Sequence, residues 1–365
     1  MSAVPPDDPS RWLLRPAVPR DLPALEALAH ASALGISNLQ ADRDALRQLL
    51  ALSDKAFASD DAASGEEAYL FVLEDRAQGG ALVGTSGIAA AAGFHDRFYS
   101  YRNEFIVQAS AELGVRSRIH TLHLCHDLTG VTLLTGFHVD ASVAHTLAPQ
   151  LLSRGRLLFI AQHADRFSDR IAAENPGLSN EQGDCPFWDA VGRRFFDLDY
   201  PAAERLGGGR MHKGWMAGLM PQSPIYVPLL PDSAQWALGQ LHPVAELPFG
   251  MLMDEGLDGD TYLNLFDGGP TADGRVALLK TVQRRRALQP EPGPVALPGP
   301  RLQLVDNGRQ AGFRAMLLPR PPGHADRLVL PPQAAEALAW QAGDPLWGAA
   351  LDAPPTEAGP GGGRP

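Results

Sequence analysis

The chain has 365 residues, with 31 Lys plus Arg against 42 Asp plus Glu, and so a formal net charge of −11 at pH 7. That balance disfavours nucleic acid and anionic membrane as partners and leaves room for a cationic small substrate. At 45% hydrophobic and 20% charged, with only Cys125 and Cys185, the composition fits a globular protein of about two domains in a reducing cytoplasm, without a disulfide framework, signal peptide or membrane span.

Residues 1–11 read as a Pro- and Asp-rich disordered tail. WLLRPAV (12–18) predicts a strand. Asp21 caps a first helix with Leu22, Leu25 and Leu28 on one face, and Asp42 caps a second with Leu46, Leu49, Leu50 and Phe57 at helical spacing. AYLFVLED (68–75), a Gly-Gly turn and ALVGTSGIAAAA (81–92) predict an antiparallel hairpin. After the polar, aromatic stretch 94–104 come two extended runs, 105–110 and 118–125. VTLLTGFHV (131–139) predicts a strand that feeds a long helix over 147–167. A strand RIAAE (170–174) and a helix PFWDAVGRRFF (186–196) follow.

Further on, a helix stops at EGL (255–257), and a strand TYLNLF (261–266) ends in the turn DGGP (267–270). QPEPGPVALPGPR (289–301) reads as a stiff Pro-rich linker. Beyond it lies a small module, 302–352, with strands at 313–319 and 327–331, a helix at 333–341 and the segment 343–351; residues 353–365 read as a second disordered tail. The expected domains are 12–200, a first unit, and 201–288, a second α/β half. The mixed order of strands and helices predicts an α+β or mixed α/β fold around one sheet.

A strand that runs into a helix often builds an anion site from free backbone N–H groups, and such loops are normally glycine-rich. The loop AHTLAP (144–149) has no glycine. RIHTLHLCHD places His120, His123 and His126 near Cys125 and Asp127, but strand alternation puts His123 on the opposite face from the other two, which favours sheet histidines over a metal site. The same divergence argues against a Cys125–His126 nucleophile pair, and Cys185 at a helix start reads as structural. No nucleophile elbow, Walker loop or dinucleotide fingerprint occurs, and LGGGR (206–210) reads as a loop. His242, in GQLHPVAE, stands at a loop–helix junction where a ring can face a cleft; imidazole titrates near neutrality, which suits proton transfer. An exposed loop histidine is the plainer alternative.

HDLTGVTLLTGF, LLSRGRLLFIAQ, PFWDAVGRRFF, MPQSPIYVPLLP, GQLHP, EGL and NLFDGGPT occur in that order. Together they resemble the arginine N-succinyltransferases, GNAT-type acyltransferases of a bacterial arginine-degrading pathway, over about residues 12–352. The resemblance implies an α+β, GNAT-like fold with a mixed, largely antiparallel central sheet and a small C-terminal β-rich module. Homomeric enzymes and paired subunits both exist in that family, and the apolar run with its glycine-poor loop is most similar to the alpha subunit of the paired type. The homomeric enzymes have a basic, glycine-containing loop at 144–149 and Glu and Cys at the positions of Leu133 and Thr135; the family usually has Glu at the position of Gly218.

By resemblance the reaction moves succinyl from succinyl-CoA, a co-substrate rather than a bound cofactor, to the α-amine of L-arginine or L-ornithine. His242 matches the family's proton donor. Phe137 matches a residue that contacts succinyl-CoA, with the backbone of Phe137, His138 and Val139 as the reactive part. Arg154 and Arg156 are candidates for the CoA phosphates or the succinyl carboxylate, although solvent-facing positions are the commoner outcome. Glu174, Glu181 and Asp267 are candidates for the substrate cation, with ordinary surface or capping roles equally open. A homologous beta subunit, or self-association, is the expected partner. A low-activity structural or regulatory subunit is the alternative function.

Overall fold

The computed structural model describes residues 8–31, 42–180, 182–206, 214–294, 301–321 and 326–351. β1 (Trp12–Pro16) is followed by α1 (Leu22–Ala31) and α2 (Arg43–Ala58). The Asp42 side chain accepts from the Ala45 N–H, the expected cap. Asp21 instead closes the short turn before α1, accepting from Val18 N–H and from buried Arg15. The hairpin β2 (Ala68–Asp75) and β3 (Ala81–Ala89) forms as predicted, and a second, longer hairpin joins β4 (Ser100–Ser110) to β5 (Val115–Cys125).

β6 (Thr132–Val139) leads into α3 (Ala148–Gln162), and β7 (Arg170–Glu174) follows. α3 stops five residues short of the prediction. At His163 the backbone leaves the helical range (φ −118°, ψ 45°), and Phe167 turns inward, its ring centroid 5.4 Å from that of Tyr69. The predicted helix over 186–196 is broken into α4 (Pro186–Ala190) and α5 (Arg193–Phe196). Val191 (φ −115°, ψ −76°) interrupts it, and the Trp188 indole donates to Leu198 O at 2.9 Å, folding the chain back.

Short helices α6 (Tyr200–Leu206) and α7 (Gly214–Ala217), strand β8 (Ile225–Tyr226) and α8 (Asp232–Ala237) precede α9 (Glu246–Glu255). Gly256, in the left-handed region at φ 101°, ends α9 where the sequence placed its stop. β9 (Asp258–Leu263) and β10 (Pro270–Arg275) flank the DGGP turn; α10 (Lys280–Arg284) follows.

The first residues of the expected linker belong to a strand, β11 (Arg286–Pro292), paired in parallel with β14 (Arg327–Leu330) and antiparallel with β15 (Leu346–Leu351). Its prolines fit because the N–H groups of Gln289 and Gly293 face β14, while Pro290 and Pro292 face the opposite edge, beyond the last residue paired with β15. β12 (Leu302–Asp306), buried at every position, β13 (Ala315–Pro319) and α11 (Pro332–Ala337) complete the described elements.

Among the described residues the strands form one sheet in the order β14-β11-β15-β12-β13-β1-β2-β3-β6-β7-β10-β9-β4-β5-β8. Only β6–β7 and β11–β14 run parallel. The C-terminal module therefore continues the main sheet through the β13–β1 pair rather than standing apart. This is the α+β, GNAT-like arrangement expected: a largely antiparallel sheet with a parallel pair that feeds the long helix α3.

α3 lies across one face, burying Leu151, Leu152, Leu157, Leu158, Phe159 and Ile160. Phe159 meets Phe57, Phe71 and Phe313 edge-on at 5.2–5.4 Å, the geometry aromatic rings prefer. This packing holds α3, and with it the loop 140–147, against β6.

Candidate active site

β6 and β7 pair only at Thr132–Ile171 and Leu133–Ala172, yet β6 runs on to Val139. Beyond Leu133 its β7-facing edge is open. On the other side β6 stays paired with β3, with two residues, Gly136 and Phe137, opposite Ser86. This bulge needs Gly136, whose φ of 58° lies in the left-handed region. The Thr85 hydroxyl donates to Gly136 O at 2.8 Å, fixing that carbonyl toward β3. A trans peptide points its C=O and N–H in opposite directions, so the Phe137 N–H faces the open edge. Asp140 N–H donates back to Val83 O at 2.8 Å; by strand alternation the Val139 N–H also faces the open edge.

β7 ends at Glu174. The chain then crosses the DGGP turn at very close range. A Cβ added to Gly269 would lie 2.4 Å from Asn175 O, and one added to Gly177 would lie 2.6 Å from Asp267 O. Asn175 N–H donates to Pro270 O, Gly239 N–H to Gly268 O, and His242 N–H to Pro176 O at 2.9 Å. Three separate segments of the chain thus meet at the end of β7, and the half-buried His242 is anchored beside the splay. The Val244 N–H faces His242 Nδ1 at 3.4 Å, a weak contact that favours the hydrogen on Nε2.

A cleft of about 550 Å³ opens between the first turn of α3, α9, α10 and the end of β15; Glu246, four residues after His242, lies in its wall. Its floor is an ion network. Arg154, almost fully buried, donates to Glu255 Oε1 (2.7 Å) and Asp254 Oδ2 (2.5 Å), and Glu255 Oε2 accepts from Thr281 N–H (2.8 Å). Burial works against ionised Asp254, yet Lys280 and Arg154 hold its carboxyl below the usual carboxylate range.

The loop that opens α3 turns most of its amides inward. Ser142 N–H donates to Asp140 Oδ1, Val143 N–H to Asp140 O, Thr146 N–H to Val143 O, and Ala148 N–H to Thr146 Oγ1. Pro149 has no N–H, and the N–H groups of Gln150 and Leu151 turn back to Leu147 O. The glycine-free loop therefore satisfies most of its own amides, while His145 and Leu147 line the cleft.

Both arginines are buried, against the solvent-facing expectation. Arg154 lines the cleft with its guanidinium committed to carboxylates, and Arg156 lies beneath the β6 bulge. His138 is half-buried, and burial lowers its imidazole below the ordinary value although Asp140 pulls the other way. Glu174 lies at the end of β7, half-buried and opposite Thr271. Asp267 is wholly buried, accepting from Gly269 N–H (2.9 Å) and facing the Tyr200 hydroxyl at 3.3 Å; it builds the turn and does not open onto the cleft. Glu181 lies outside the described residues. His120 stacks on Phe105 at 4.8 Å, and among the described residues no group of three His, Cys, Asp or Glu side chains is gathered for a metal. The position of Gly218 is exposed and open, so a carboxylate there would stand at the surface. Sequence reasoning missed Thr85, Glu255 and Lys280. Nothing in a strand pattern singles out Thr85, while an acid at the last position of a helix reads as surface.

No described helix is long and apolar enough to cross a membrane. The family described as arginine N-succinyltransferase beta subunit matches residues 12–281, and its C-terminal domain matches residues 284–350. Arginine N-succinyltransferase subunit alpha of Pseudomonas aeruginosa is 46% identical over 326 residues, 89% of this chain and 96% of that one. Subunit beta of the same organism is 36% identical over 334 residues (91% and 96%), and arginine N-succinyltransferase of Citrobacter koseri is 34% identical over 335 (91% and 95%). The solved structure of arginine/ornithine succinyltransferase subunit AI from Pseudomonas aeruginosa superposes with a TM-score of 0.84 at 43% identity, covering 94% of this chain and all of that one. Fold, motif order and full-length similarity agree, and the chain belongs to the arginine N-succinyltransferase family of acyltransferases.

Proposed function

We propose that this chain is an N-succinyltransferase subunit that moves succinyl from succinyl-CoA to the α-amine of L-arginine or L-ornithine, working with a homologous subunit. The observation that carries this reading is the open edge of β6, with the Phe137 and Val139 N–H groups directed into it and His242 tethered beside it.

The neutral amine attacks the thioester carbonyl. As the C–N bond forms, the carbonyl oxygen gains negative charge, and the amides of Phe137 and Val139 receive it in place. The C–S bond then breaks. Nε2 of His242 carries hydrogen in both charge states of the ring when Nδ1 faces Val244, so protonated His242 donates from Nε2 to the departing sulfur. The proton lost by the amine recharges the ring. The products are the N-succinyl amide and CoA thiol, with no covalent enzyme intermediate. The cleft over α3 and α9 would take the CoA arm, with His145, Lys280 and Arg284 as its basic lining.

The largely self-satisfied loop before α3 favours one second reading: a low-activity subunit that supports a more active homologous partner. Purified chain given succinyl-CoA and arginine or ornithine, with and without that partner, separates the two by thiol release and product mass. Turnover by the pair that depends on His242 of this chain supports the first reading. Turnover indifferent to His242 of this chain supports the second.

A further inference from the structure

Arg156 is only 3% exposed, in the middle of α3. Its Nη1 faces two carbonyls, Gly87 O on β3 and Thr135 O on β6, each at 3.4 Å. Nε faces Ser153 O at 3.3 Å, Nη2 faces Ser153 Oγ at 3.5 Å, and the guanidinium carbon lies 5.6 Å from the Phe137 ring. Every one of these contacts is long. Among the described residues no carboxylate forms an ion pair with it, whereas Arg154, two positions earlier, has two. Burial pushes the guanidinium down to about 9, which still leaves it charged at neutral pH. A buried cation without a counter-ion opposes folding, and an apolar chain of similar length would remove that burden. The fold alone gives no reason to keep it.

Its position gives one. The two carbonyls that it bridges belong to the Gly87–Thr135 pair, which directly precedes the bulge at Gly136 and Phe137. Holding Thr135 O fixes the peptide that leads into Gly136, and Thr85 holds the next carbonyl toward β3, so the bulge that carries the Phe137 N–H is set from both sides. We propose that Arg156 is a positioning residue for acyl transfer: its guanidinium grips the bulge from below, fixes the amides that face the open edge, and places uncompensated positive charge behind the developing oxyanion. The proposal rests on the succinyl-transfer reading given above. Arg156 acts through the bulge and does not touch the acyl donor.

The test compares Arg156→Met and Arg156→Lys with wild type in the assembled enzyme, by steady-state kinetics and thermal melting. The methionine variant should melt at or above the wild-type temperature, lose kcat on the order of 10- to 100-fold, less than the loss of a direct oxyanion donor, and keep KM for succinyl-CoA within about threefold. The lysine variant, which keeps the charge but not the fork, should recover part of kcat. Unchanged kcat in the methionine variant overturns the proposal. So does a kcat loss that tracks a fall in melting temperature and is not recovered by lysine. If the methionine variant does not fold, a lysine variant with wild-type kcat and wild-type melting overturns it, and one with wild-type melting and reduced kcat supports it. Wild-type enzyme inactive toward both amines overturns the functional reading together with this one.

Discussion

The backbone N–H of His242 donates to the carbonyl of Pro176 at 2.9 Å, which ties the catalytic candidate to the strand end where the sheet splays. The same junction contains the Asn175–Pro270 and Gly239–Gly268 bonds, so the backbone that carries the ring is fixed by its neighbours. Gly269 permits the crossing. A methyl group there meets Asn175 O and Gly177 N at 2.4 Å, both backbone atoms that have nowhere to go. Gly269→Ala should destabilise by roughly 2 kcal/mol or more, as overpacking does. Its kcat at a temperature where it is fully folded should also fall, because His242 shifts with the turn. Melting curves and kinetics on the same sample check both.

The loop before α3 leads to a binding prediction. Most of its amides are committed to Asp140, Val143, Thr146 and Leu147, and Ala, Leu and Thr side chains crowd the approach. Isothermal calorimetry on the isolated chain should give a succinyl-CoA Kd at least about tenfold weaker, or roughly 1.4 kcal/mol, than a relative with glycines in this loop. Equal or tighter binding contradicts the reading.

Arg154 and Glu255 join the two walls of the cleft at 2.7 Å, with side chains 6% and 2% exposed. Glu255→Gln keeps the acceptor for Thr281 but leaves Arg154 with Asp254 as its carboxylate partner. Breaking a buried pair on one side typically costs about 3 kcal/mol or more, and Asp254 should soften that here. Chemical denaturation should show the loss, and KM for succinyl-CoA should rise as α9 loosens from α3.

Asp306, the last residue of β12, is buried against Arg285 with Oδ2 unpaired; burial pushes its carboxyl up to about 6, outweighing Arg285 at 3.3 Å. A folded-state pKa raised above the unfolded one contributes stability that is present at low pH and lost as pH rises from about 4 through about 6. Asp306→Asn, which still accepts from Gly308 N–H, should therefore melt a few degrees above wild type at pH 8, with the difference shrinking toward pH 4. A constant difference across that range rejects the assignment.

Much of the fold was legible because it rests on local pattern. The hairpin at 68–89, the cap at Asp42, the stop at Gly256 and strand 170–174 follow from alternation, a side-chain acceptor and a left-handed glycine. The misreadings share a cause: long-range packing overrode local preference. The proline run enters β11 because its prolines face an unpaired edge, and α3 ends where Phe167 joins the aromatic core. In the site, His242 and the backbone of 137–139 carried a family motif, and the structure brings their surroundings together. The burial of Arg156 and Asp267 was invisible, since an arginine or aspartate between polar neighbours reads as surface until a sheet covers it.

The most direct test of the account is single-turnover thiol release by His242→Ala in the assembled enzyme, with saturating arginine. The ring is half-buried and contributes little packing, so melting and succinyl-CoA binding should stay near wild type while the rate falls by ~10²–10⁴. A variant that binds succinyl-CoA normally and releases thiol at the wild-type rate would contradict the assignment of proton transfer to this histidine.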